Sequence, residues 1–67
     1  MKNWIVQRKI FKGDWETIAQ IEATTKAVAT SRYNHMSGKI RAVSTQHAEA
    51  DYQAGRADNY KRKLEVV

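Results

Sequence analysis

Two histidines, His35 and His47, are the only imidazoles in the chain, and there is no cysteine. A metal site would need both to converge with a carboxylate such as Glu49 or Asp51. The spacings His47-x-Glu49 and Glu49-x-Asp51 do not match the ligand patterns of a zinc centre. Serines and threonines are plentiful, yet none stands in a glycine-rich elbow or beside a histidine, the settings that activate a hydroxyl. Gly38-Lys39 lacks the glycine-rich lead-in by which backbone amides cradle a phosphate. Spacing therefore holds no acid, base, nucleophile or ligand set together. No catalytic residue, no cofactor and no metal site is expected, and the chain is not read as an enzyme.

Recognition chemistry is better represented. Arg56, Lys61, Arg62 and Lys63 form the densest group of cations, with Tyr52, Asn59 and Tyr60 close by. Such a group can track a phosphate backbone or an acidic protein surface. Asp51, Asp58 and Glu65 lie among these cations and would repel phosphate. A second candidate is Phe11, an aromatic on a predicted polar face between Lys9 and Lys12. It suits stacking on a base or anchoring a protein interface. The candidate contact residues are accordingly Lys9, Phe11, Lys12, Arg56, Tyr60, Lys61, Arg62 and Lys63. Lys39 and Arg41 make a third basic pair.

These residues must be positioned by a small number of elements. Asn3 to Phe11 has the β-branched and aromatic content of a strand. Gly13-Asp14 suits a two-residue hairpin turn, and Trp15 to Glu22 returns. A turn centred there sets Val6 opposite Ile21, Arg8 opposite Ala19 and Ile10 opposite Thr17. One face then collects Trp4, Val6, Ile10, Trp15, Ala19 and Ile21, and the other shows Gln7, Lys9, Glu16, Gln20 and Glu22. Both tryptophans are thus placed in the core.

Thr24 or Thr25 caps a helix predicted from about Lys26 to Met36, which stops near Gly38. Ala29, Tyr33 and Met36 share its inner face. Lys39 to Ser44 is a third strand, with Ile40 and Ala42 pointing one way and Arg41 and Val43 the other. Ser44 or Thr45 then caps a second helix, read as continuing to about Lys63 along an Ala50, Ala54, Ala57 and Leu64 stripe. Gly55 weakens that helix. A competing reading ends it at Asp58-Asn59 and makes residues 60–67 a strand. The fold class is α+β: a small antiparallel sheet with a ββαβ core plus a C-terminal helix.

Sixty-seven residues make one domain and not two. A domain this short buries only ~60% of the surface its unfolded chain exposes. With no disulfide available, a homodimer or a docked partner is the expected route to extra stability. No apolar run approaches the ~20 residues of a membrane span, so no membrane partner is expected. The net charge of +5 arises from twelve Lys and Arg against seven Asp and Glu. The acids are interleaved with the bases, so the excess is spread rather than gathered in a tail.

Trp4-x-Val6, Lys12-Gly13-Asp14-Trp15-Glu16-Thr17-Ile18, Thr24-Thr25-Lys26-Ala27 and Lys39-Ile40-Arg41-Ala42-Val43 form a pattern over residues 3–44. It resembles short proteins encoded by bacteriophages and prophages: a hairpin with G-x-W-x-x-I, a helix, then an R-x-V strand. The resemblance implies a protein that acts by binding in the host cytoplasm and blocks or redirects a host or defence component. A protein is the expected partner, and the alternative is a basic module that binds DNA or RNA.

Overall fold

The computed structural model describes residues 2–9 and 13–60, and the backbone of residues 64–66. The elements run β1 (Lys2–Lys9), β2 (Glu16–Ala23), α1 (Lys26–Thr30), a 3-10 turn (Ser31–Tyr33), β3 (Lys39–Ser44), α2 (Thr45–Gln53) and β4 (Leu64–Val66). The sheet order is β3-β1-β2-β4. β1 pairs antiparallel with both β2 and β3, and β4 runs parallel to β2. The expected α+β class, with its three-stranded antiparallel core and a helix after β3, is what the chain adopts. The β3 bounds fall where the sequence places them.

The two crossovers travel in opposite directions across the sheet, from β2 to β3 and then from β3 back to β4. Crossovers of one hand must then put their helices on opposite faces. On one face Ala29 of α1 packs with Trp4, Val6, Ala19, Ile21, Ala23 and Ala42, flanked by Ile18, Tyr33 and Ile40. On the other, Ala48 of α2 meets Ile5 and Val43, with Tyr60 packed against them. β1 is therefore buried on both sides, and Trp4, Ile5, Val6 and Gln7 are all inside. The predicted polar face is in fact a second, smaller core.

The hairpin register departs from the expected one in two steps. Val6 lies opposite Ala19 and Trp4 opposite Ile21, a slip of two residues that leaves every side chain on its predicted face. The Trp4 indole then donates to the carbonyl of Ala23 at 3.1 Å. Beyond Val6 the pairing shifts, so that Gln7 meets Thr17 and Arg8 meets Glu16, with Ile18 as the extra residue of a bulge in β2. One added residue reverses the alternation. Thr17 and Trp15 therefore turn to the α2 face, and the two tryptophans end on opposite sides of the sheet. Of the expected core, Trp4, Val6, Ala19 and Ile21 are buried as read. Trp15 is only half-buried, and Ile10 lies outside the described residues.

Both helices are shorter than predicted. Thr25 caps α1, its hydroxyl accepting from the Val28 amide at 3.2 Å. The Thr30 and Ser31 hydroxyls donate back to the carbonyls of Lys26, Ala27 and Val28. This competition tightens the chain into the 3-10 turn. Ser44 caps α2 by accepting from the His47 amide at 3.1 Å. That helix stops at Gln53. Gly55, at φ +77°, donates to the Tyr52 carbonyl, while the Arg56 amide reaches back to that of Asp51 at 2.8 Å. This paired closure around a left-handed glycine is a Schellman motif, so Gly55 ends the helix rather than merely weakening it. Ala57 is buried beyond the helix, whereas Ala50 and Ala54 are exposed. They do not form the predicted stripe with Leu64.

Candidate functional site

The second face carries a cluster of charged groups centred on Asp51. The carboxylate is buried in the last turns of α2. Its Oδ2 accepts from Arg41 Nη2 at 2.7 Å, and its Oδ1 accepts from Arg56 Nε and Nη2 at 3.2 and 2.9 Å. His47, one turn earlier, brings Nε2 to 3.3 Å of Oδ2. Each contact follows from position. Arg41 points from β3 toward α2 because strand residues alternate. His47 and Asp51 share a helix face at i, i+4. Arg56 is folded back by the turn at Gly55.

Arg41 binds in two further directions. Its Nε and Nη2 donate to Oε1 of the fully buried Gln7 at 2.9 and 2.7 Å. Its guanidinium carbon lies 4.0 Å from the centre of the Trp15 ring, where a planar cation is attracted to the aromatic face. Gln7 in turn donates to the Thr17 hydroxyl at 3.5 Å. The burial of Gln7 on the predicted solvent face is thereby satisfied. The Arg41 hydrogen bond is the main cause holding the Asp51 carboxyl below its ordinary 3.8. Burial opposes it, and the Arg56 hydrogen bond and the charges of His47 and Arg41 reinforce it. A carboxylate so engaged is a poor proton acceptor. The cluster ties α2 and the segment after it to β3 and β1.

Of the contact residues expected from sequence, Lys9 is half-buried at the end of β1, with Nζ 5.7 Å from the Trp15 ring. Arg56 is exposed but held by Asp51. Tyr60 is half-buried against Ile5, Val43 and Ala48. It also lines an open depression of about 400 Å³ with Thr45, Gln46, Glu49 and Ala50. Phe11, Lys12, Lys61, Arg62 and Lys63 lie outside the described residues. No helix runs through Arg56 and Asn59, so the expected basic helix face does not form. Among the described residues no group of three or more His, Cys, Asp or Glu could hold a metal. Nor is any described helix long and apolar enough to cross a membrane. Sequence reasoning missed the linkage of Gln7, Trp15, Arg41 and Asp51. The i, i+4 spacing of His47 and Asp51 was its one local signal.

The two sheet edges differ. β2 is closed on its outer side: Trp15 and Ala57 form a parallel bridge, and the Trp15 amide donates to the Arg56 carbonyl at 2.9 Å. The Asp58 carboxylate accepts from the Thr17 amide at 2.9 Å, and β4 pairs with Gln20 to Glu22. β3 has β1 on one side and, among the described residues, no strand on the other. Its six residues pair with β1 without a bulge.

No protein-family model, curated protein or solved structure matches this chain.

Proposed function

We propose that the chain is a small non-catalytic binding protein of phage or prophage origin, which blocks or redirects a protein partner in the host cytoplasm. The observation that carries this reading is the open edge of β3, a regular six-residue strand with one side unpaired among the described residues. An exposed edge offers a row of backbone donors and acceptors to another chain. The reactive groups that do come together, Asp51, His47, Arg41 and Arg56, are engaged with one another. Charge favours a protein over a nucleic acid. Seven acids are interleaved with the twelve cations, and Asp51, Asp58 and Glu65 stand among the densest cationic group, where they would repel phosphate.

Photocrosslinking tests this reading. A photoreactive label is placed at Ser37→Cys, exposed beside the start of the β3 edge, or at Gln53→Cys, at the end of α2. Lysates of several bacterial hosts should give a discrete protein adduct from the edge label that excess unlabelled protein abolishes. Adducts lost on nuclease treatment, or none from the edge label in any host, would contradict it.

A further inference from the structure

We infer that the outer edge of β3 takes an extended segment of a partner protein that sets an acidic residue beside Lys39 and an apolar residue beside Ile40. The inference rests on the binding reading above and specifies the chemistry of the partner. On the α2 face of β3 stand Lys39, Arg41 and Val43; on the α1 face stand Ile40, Ala42 and Ser44. A strand added alongside would set its side chains about 5 Å from these, on the same alternating faces.

The first row carries an electrostatic imbalance. Lys39 lies directly opposite Lys9 of β1, and the ion pairs among the described residues include neither lysine. Like charges directly opposite one another are destabilising. Lys9 lies near the Trp15 ring, whereas Lys39 is exposed at the edge. An acidic side chain on the outer flank of Lys39 offsets both charges. Arg41, two residues on, is already neutralised by Asp51, so the demand for a carboxylate is concentrated at Lys39. The next residue of the incoming strand faces the other side and meets Ile40, which is half-buried beside the α1 core. An apolar side chain there extends that core. The incoming strand therefore sets a carboxylate beside Lys39 and an apolar side chain at the adjacent position, beside Ile40.

A second copy of this chain fits the edge poorly. Parallel pairing sets Lys39 beside Lys39. Antiparallel pairing centred on Ile40 sets Lys39 beside Arg41, and pairing centred on Arg41 sets that residue against itself. Centring on Ala42 leaves Lys39 with no counter-charge.

Fluorescence anisotropy with labelled peptides of about eight residues tests the inference on the full chain. One peptide alternates Glu with Val and Thr, so that any register on the proper face sets a carboxylate beside Lys39, one replaces Glu by Lys, and one replaces Glu by Gln. The alternating acidic peptide should bind at least about tenfold more tightly than either control. Lys39→Glu should reverse the charge preference, and Lys39→Gln should weaken the acidic peptide without favouring the basic one. Circular dichroism of both variants should match the parent, since Lys39 is exposed. The inference is overturned if the Gln peptide binds equally, if the Lys39 variants leave the preference unchanged, or if no acidic peptide binds at about 1 mM. Displacement of the peptide by a single-stranded oligonucleotide at equal charge, or by a dimer seen in sedimentation, overturns it as well. An edge-specific protein adduct without peptide binding would reject the acidic-strand chemistry alone. Loss of both would reject the binding reading too.

Discussion

Asp51 accepts hydrogen bonds from Arg41 and Arg56 and lies beside His47, so its replacement touches three elements at once. Asp51→Asn keeps the shape but removes the charge, leaving Arg41 partly buried against Gln7 and Trp15. Breaking a well-buried pair costs about 3–5 kcal/mol; the partial exposure of Arg41 and the open position of Arg56 reduce this to about 2 kcal/mol, readable in urea unfolding. The same contacts set the pH response. The folded carboxyl titrates below its ordinary 3.8. The stability it contributes is therefore complete above the unfolded value and is lost as pH falls through the folded one. The urea midpoint of the parent should drop more steeply below about pH 4 than that of Asp51→Asn. Parallel curves would remove Asp51 from the acid response.

At the level of elements, the strands and helix starts were legible because their signals are local. Alternation gives β3 its bounds, and the Thr25 and Ser44 hydroxyls mark the caps. The bulge at Ile18 was not legible. A slip of two residues leaves the hydrophobic pattern unchanged, and the extra residue answers to contacts from distant segments, Arg41 on Trp15 and Asp58 on the Thr17 amide. Gly55 was ambiguous for a different reason. A glycine is tolerated inside a helix and favoured just past its end, and here the pairing of Ala57 and residues 64–66 with β2 selects the end. A Cβ at Gly55 meets nothing within 4 Å, so Gly55→Ala carries only the backbone cost of a positive φ. The expected loss is about 1 kcal/mol in urea unfolding. A rise in helical circular dichroism with no loss of stability would mean that the helix continues through residue 55.

Across the whole molecule, a chain with few large apolar residues covers both faces of one sheet by sending its two crossovers in opposite directions. The α1 side is closed mainly by packing. The α2 side combines a small apolar group with the Asp51 cluster. The C-terminal part closes one sheet edge and leaves the other open among the described residues. Its burial of β1 on both sides was hidden from sequence because Gln7 reads as a surface residue until Arg41 and Thr17 are seen beside it. The binding account therefore turns on β3, and amide hydrogen exchange with and without the alternating acidic peptide addresses it most directly. The outward-facing amides between Lys39 and Ser44 should slow when the peptide is added, with those of β4 unchanged. Protection confined to α2 or β4, or spread evenly over the chain, would contradict the assignment of the β3 edge as the binding surface.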